Sequence, residues 1–299
     1  MNNRMIKIVE VGPRDGLQNE KSILSTELKL NLIHKLMDAG LKTIEVTSFV
    51  SPKWVPQMAD HTELVMQLSK VAGVRTIALV PNEKGLSNAT AVGADSIAVF
   101  AAASESFSQK NINCSIAQSL DNFKQVIAQA KMQKQWIRGY ISCVLGCPYE
   151  GHIAPTQVLN VANALYNAGC DEISIGDTIG VGTAKQAQSL IRDLKSSIPI
   201  EKLAVHFHDT YGQALANIYA CMEEGIRIID SSVSGLGGCP YAKGASGNVA
   251  TEEVVYMLHG MGLKTGINLE KLINAGQYIC DALNIKNRSK VANALLSKK

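Results

Sequence analysis

The chain carries little net charge. Its 299 residues hold 29 basic and 26 acidic side chains, a formal balance of +3, with no block of one sign. A nucleic-acid surface or a polybasic membrane patch leaves a denser signature. Long apolar runs are also missing, none nearing the ~20 residues that span a bilayer. The opening MNNRMIKIVEVGPRDG has neither the apolar core of a secretion signal nor an Arg/Ser-rich transit stretch, so a cytoplasmic protein is expected. The seven cysteines, at 114, 143, 147, 170, 221, 239 and 280, are odd in number and scattered, unlike a disulfide framework. Cys143 and Cys147 lack the second pair that a structural zinc site needs. No Pro- or Ser-rich linker divides the chain. No G-x-G-x-x-G follows the first apolar run, which speaks against an open dinucleotide-binding sheet.

What is present is the composition of a globular chain with ample core, 46% apolar and 18% charged. Short β-branched runs at 6–11, 43–47, 75–80, 96–100, 139–145, 172–176, 203–207 and 228–233 alternate with stretches of helical period. The latter lie at 27–39, 62–71, 116–132, 156–168, 184–196, 214–224 and 248–259. DAGLKTIEV, AVGADSIAV, NAGCDEISI and EEGIRIIDS repeat one grammar, a helix closed by Gly and a strand soon after. Eight such units in one α/β chain predict a (β/α)8 TIM barrel. We read residues 1–299 as a single domain, with 261–299 as a C-terminal helical appendage.

In such a barrel the chemistry sits at the C-terminal ends of the strands. Polar residues closing the apolar runs are therefore the candidates: Arg14 and Asp15 in VGPRDG, Glu45 in TIEVTSF, Asp177 and Thr178 in SIGDTIG, His206 and His208 in AVHFHDTYG. Two residues apart on a strand, the histidines share a face, roughly 6–7 Å from each other. An H-x-H is either a hydrogen-bonded core pair or a chelating pair. Carboxylates crowding the same rim favour a cation, with Asp15 closing the ring and Asn248 adding an amide oxygen. A His/Asp/amide set without thiolate suits Mg²⁺ or Mn²⁺ better than a closed zinc site. Cys239, in GLGGCPY, is either an inert small residue or a proton-exchanging thiol on a bendable loop. Arg14 either pairs with a carboxylate such as Glu45 or holds a developing enolate.

GPRDGLQNE, IEVTSFVSPKWVPQMAD, SESFSQKNIN, GCPYEG, GDTIGVGT, HFHDTYGQALAN and SGLGGCPYAKGASGNVATEEVVYML together resemble the 3-hydroxy-3-methylglutaryl-CoA lyases, in order over residues 6–285. SGLGGCPYA is the specific element; RDG with HxHD marks only the wider superfamily of isopropylmalate and homocitrate synthases and hydroxy-oxo-acid aldolases. The resemblance implies a divalent-metal barrel that splits 3-hydroxy-3-methylglutaryl-CoA into acetyl-CoA and acetoacetate, in leucine catabolism and ketone-body formation. It implies Asp15, His206, His208 and Asn248 as ligands of Mg²⁺ or Mn²⁺. Arg14, Cys239, Asp15, Glu45, Asp177 and His206 are its catalytic set. Arg14, Gln18, Ser48, Thr178, Lys110 and Asn111 are its substrate contacts, Lys110 serving equally well as a solvated loop residue. Cys239, Asp15 and His206 remain alternatives for proton transfer. The partner is an acyl-CoA, with no nucleic acid or membrane, and a homodimer is expected, the C-terminal helix being one possible interface. Two other readings stay open: a Claisen-type synthase joining acetyl-CoA to a 2-oxo acid, against which GGCPY argues, and a metal-binding barrel without turnover, which leaves Arg14, Glu45 and Cys239 unexplained.

Overall fold

A computed structural model describes residues 5–68, 70–238 and 247–298. Eight parallel strands close into a barrel in chain order, the eighth pairing with the first. They are β1 Lys7–Glu10, β2 Thr43–Ser48, β3 Arg75–Leu79, β4 Ser96–Ala102, β5 Trp136–Ser142, β6 Glu172–Asp177, β7 Leu203–Phe207 and β8 Ile228–Ser231. Around them run α1 Thr26–Asp38, α2 His61–Gln67, α3 Glu83–Ala91, α4 Glu105–Ile112, α5 Ile116–Met132, α6 Pro155–Ala168, α7 Ala184–Leu194, α8 Ala214–Glu223, α9 Thr251–Gly260, α10 Leu269–Leu283 and α11 Lys290–Leu296. No helix among the described residues is long and apolar enough to cross a membrane.

The repeated Gly grammar is structural. Gly40, Gly93, Gly169 and Gly225 all take positive φ, between 83° and 115°. Each reverses the chain out of a helix, and β2, β4, β6 and β8 each begin three residues later. Strand faces then divide by alternation. One face packs on the helices in a continuous apolar cluster that includes Ile44, Ile97, Ile137, Ile173, Val205 and Ile229. The other fills the barrel, where Ile77, Leu79, Ala98 and Tyr140 form an apolar side.

Several boundaries depart from the sequence reading. β5 starts at Trp136 because Trp136 and Arg138 register with Ser96 and Ala98 of β4. Arg138, a charge that interrupts the apolar pattern, is tolerated inside because Asp230 faces it. α9 starts only at Thr251, since Asn248 and Ala250 are taken up in bridges to His208 and Ser232. α2 ends by Gln67. Helices α3 and α4 were not anticipated; both are short and are started by a side-chain cap, Asn82 and Ser104.

The C-terminal segment is built into the barrel. Ile6 N–H donates to Lys264 O, and Asn268 N–H to Ala39 O, so the chain passes beside the start of β1 before α10. The apolar face of α10, including Leu272, Ile273, Ala275, Ile279 and Leu283, is buried within this chain. A dimer built on that helix would have to use its other side. Gly276 of α10 lies so close to Ser234 Oγ, beyond β8, that a side chain would not fit. The helix thus buttresses the glycine-rich stretch leading to Cys239.

Candidate active site

β1 ends in a turn of π-helix, Gly12–Gly16, which carries Arg14 and Asp15 at the barrel mouth. His206 lies on β7 and His208 just past its end, bridged to Asn248. Ligand atoms of Asp15, His206 and His208 all lie within 4.8 Å of one another. His206 Nε2 is 3.9 Å from Asp15 Oδ2, and the two imidazole centroids are 5.5 Å apart. Asn248 Nδ2 donates to Asp15 Oδ2 at 2.7 Å and to Leu236 O at 3.3 Å. The amide nitrogen, not the oxygen, is thus the atom turned to Asp15. Gly237 (φ +101°) makes room, because a Cβ there would come within 2.9 Å of Asn248 Nδ2.

These groups suit a divalent cation. The donors are one carboxylate and two imidazoles, and His208 Nδ1 is buried without a hydrogen-bond partner. Burial would raise the Asp15 carboxyl, but Arg14 first, then His206 and His208, bring it down to about 2. Burial, reinforced by His206, lowers His208 to about 4, so it is neutral, with one ring nitrogen's lone pair available, at neutral pH. His206 goes the other way: burial would lower it, and the hydrogen bond to Asp230 with the charges of Asp15 and Asp230 raises it.

Arg14 is clamped. Its Nε and Nη2 reach Glu45 Oε2 at 2.8 and 2.7 Å, and its Nη1 reaches Asp15 Oδ1 at 2.8 Å. Gln18 completes the group, its Oε1 3.3 Å from Arg14 Nη1. Glu45 owes its placement to a bulge in β2. Glu45 pairs with Ile77 but Thr47 with Ala78, which makes Val46 an extra residue. Alternation shifts by one, so Glu45 and Ser48 share the barrel side, while Thr47 turns to Met58 at 3.8 Å.

The other sequence candidates stand outside this cluster. Asp177, at the end of β6, accepts the backbone N–H of Val181 on Oδ1 at 3.3 Å and of Gly182 on Oδ2 at 2.8 Å. It therefore shapes its own loop, and burial raises its carboxyl against those donors. Thr178 Oγ1 accepts from Cys143 N–H at 2.8 Å, and Ser48 Oγ from Val50 N–H at 3.3 Å. Lys110 and Asn111, expected as substrate contacts, lie on α4, and Lys110 Nζ sits 4.1 Å from the centre of the Tyr149 ring. Cys239 lies outside the described residues.

Sequence reasoning missed the support beneath the site. Asp230 of β8 accepts from Arg138 Nη2 at 2.6 Å and from Ser174 Oγ at 2.8 Å, and lies 3.2 Å from His206 Nδ1. Glu10, at the end of β1, accepts from Gly12 N–H, Val233 N–H and Thr251 Oγ1, tying β1 to the β8 loop and α9. Glu252 accepts Ser234 N–H on both oxygens, at 3.0 and 2.9 Å. The available signal was a charge inside an apolar strand, as in IIDSSV and WIRGYI.

A family model described as HMGL-like matches residues 5–279. A curated relative, the cytoplasmic 3-hydroxy-3-methylglutaryl-CoA lyase of Rattus norvegicus, is 58% identical over 289 residues, 97% of this chain and 84% of its own length. The crystal structure of hydroxymethylglutaryl-CoA lyase from Pseudomonas aeruginosa superposes with a TM-score of 0.97 at 56% identity, over 99% of this chain and 98% of the other. An HMG-CoA lyase structure from Acinetobacter baumannii, in complex with coenzyme A and 3-methylmalate, gives a TM-score of 0.94 at 33% identity, over 98% of this chain and 96% of the other.

Proposed function

The chain belongs to the HMGL-like family, the 3-hydroxy-3-methylglutaryl-CoA lyases, and from that membership we infer that it cleaves 3-hydroxy-3-methylglutaryl-CoA to acetyl-CoA and acetoacetate. The tertiary hydroxyl gives up its proton and its carbon becomes the ketone of acetoacetate. The adjacent C–C bond breaks with its electron pair passing to the acetyl-CoA carbon, and that enolate then takes one proton. The observation that carries the reading at this site is a clamped, buried guanidinium beside a compact Asp/His/His group.

Asp15, His206, His208 and Asn248 are the groups to hold Mg²⁺ or Mn²⁺, whose charge, when bound, acidifies a substrate hydroxyl. Arg14 is assigned to the thioester oxygen. Glu45 and Asp15 hold it in place before substrate arrives, so no reorganisation is required as negative charge develops there. Asp15, His206 and Cys239 are carried as the alternatives for proton transfer. Gln18 orients Arg14 and Asp15, and Asp177 shapes the loop that presents Thr178. Ser48, Thr178, Lys110 and Asn111 are carried as acyl-CoA contacts from the family resemblance, and the coenzyme A bound in the Acinetobacter relative supports an acyl-CoA as the ligand.

The test is to incubate metal-stripped protein with 3-hydroxy-3-methylglutaryl-CoA, with and without Mg²⁺ or Mn²⁺. Equal, metal-dependent yields of acetyl-CoA and acetoacetate are expected. No product from folded protein that binds the metal refutes the substrate. A Cys239→Ala variant as fast as the parent refutes the role given to that thiol.

A further inference from the structure

We propose that Asp230 is the positioning residue for His206: its Oδ2 holds the imidazole proton on Nδ1, so that Nε2 is the atom presented to the metal site. The proposal rests on the metal-site reading above. Asp230 is 2% exposed and receives bonds from three strands. Arg138 of β5 fills Oδ1 at 2.6 Å, Ser174 of β6 donates to Oδ2 at 2.8 Å, and His206 Nδ1 of β7 lies 3.2 Å from Oδ2. A carboxylate beside a guanidinium is an acceptor only, so the hydrogen between Oδ2 and the ring belongs to Nδ1. The lone pair is then on Nε2, the nitrogen on the Asp15 side. Register supports this arrangement, as His206 and Asp230 are direct partners across β7 and β8.

The support continues to the other end of the barrel. Arg138 Nε stands 3.1 Å from Glu172 Oε1, an ion contact poorly angled for a hydrogen bond. Glu172 Oε2 accepts from Lys7 Nζ at 2.8 Å. Charges thus alternate from Lys7 through Glu172 and Arg138 to Asp230, which holds the neutral His206 ring between itself and Asp15. A chain of this kind fixes the ring from below.

A buried ion pair that only seals the barrel would make the same contacts, and Asp230→Asn separates the two roles. Arg138 demands the amide oxygen at the Oδ1 position. That puts the NH₂ at the Oδ2 position, facing His206 Nδ1, where it donates to the ring and moves the proton to Nε2. The Ser174 hydroxyl turns to suit. The expected results are a Mn²⁺ dissociation constant raised about 10–100-fold, and, in ¹⁵N-histidine spectra of metal-free protein at about pH 9, a switch of one ring from the Nδ1–H to the Nε2–H pattern. Ser174→Ala keeps the carboxylate and should keep the parent pattern. A variant that only lowers the melting temperature, with unchanged Mn²⁺ affinity and ring pattern, overturns the proposal. If Asp230→Asn does not fold, the parent's own spectrum decides: Nδ1–H for His206 supports the assignment and Nε2–H overturns it. A parent that binds no Mn²⁺ brings down the metal reading and this proposal with it; a parent that binds, with a variant that binds equally, brings down this proposal alone.

Discussion

Glu45→Gln removes one charge and almost no volume at the back of Arg14. Glu45 is fully buried, Arg14 is 8% exposed at its side chain, and a single oxygen, Oε2, takes both Nε and Nη2. Removing one partner of a buried pair costs about 3–5 kcal/mol. Two features reduce that here. The amide oxygen still accepts from the guanidinium, and Asp15, at 2.8 Å, remains as a counter-ion. One feature adds to it, since the new NH₂ takes the place of Oε1, which is buried and has no partner. The balance is about 2–3 kcal/mol; expressed as lost transition-state stabilisation, at about 1.4 kcal/mol per tenfold, it is a roughly 30–150-fold fall in rate. Because Arg14 is assigned to charge that appears only as the C–C bond breaks, the fall belongs in kcat, with KM within about threefold. Steady-state kinetics of the metal-loaded protein give both constants, and thermal unfolding shows whether the fold has paid instead. A kcat within twofold of the parent, with an unchanged melting temperature, would refute the clamp. So would a loss found wholly in KM.

His208→Ala deletes one member of the Asp/His/His group and should weaken Mn²⁺ binding by at least tenfold in calorimetry; parental affinity would end the chelating reading of HFH. Gly237→Ala forces a Cβ against Asn248 Nδ2 at positive φ, which costs about 1–3 kcal/mol and should weaken Mn²⁺ binding in the same assay; parental stability and affinity would show that the loop yields freely. Burial pushes Glu252 up to about 8 and Glu10 to about 7, so the folded chain keeps protons that the unfolded chain loses above about 4.5. That stability is complete below the unfolded value and drains away as pH rises through 7 to 8. His208 tilts the other way, adding stability as pH rises from about 4 to 6.5, so the clean window lies above 6.5. Between pH 6.5 and 8.5, denaturant unfolding of metal-free Glu252→Gln should lose about 2 kcal/mol less than the parent, from some 1.5 pH units at about 1.4 kcal/mol each; parallel pH curves would refute the assignment.

The barrel was legible because its grammar is local. A helix closed by Gly and followed by a strand needs only a few neighbouring residues to be read, and four copies of it sit within the eight strand–helix alternations that indicated the architecture. The site was legible wherever a polar residue closed an apolar run, as with Arg14, Asp15, His206 and His208. Asp177 answers the same description yet spends both oxygens on its own loop, because a carboxylate at a strand end serves a turn as readily as a cation. Helix α4, which carries Lys110 and Asn111, escaped the sequence for a different reason: the Ser104 cap that begins it precedes a stretch with little apolar period, so the helix is visible only in its hydrogen bonds. Asp230 and Arg138 were hidden by distance, 92 residues apart in sequence and 2.6 Å apart in space. Each alone is a charge that a buried strand should not contain. Neither strand would accept its charge without the other. The pair therefore exists because the barrel closes, and closure is a property of all eight strands that no single stretch of sequence displays. The groups that can hold an ion lie at the strand ends, where sequence exposes them. The groups that aim those ligands lie in the strand interiors, where only the three-dimensional pairing reveals why a charge is there.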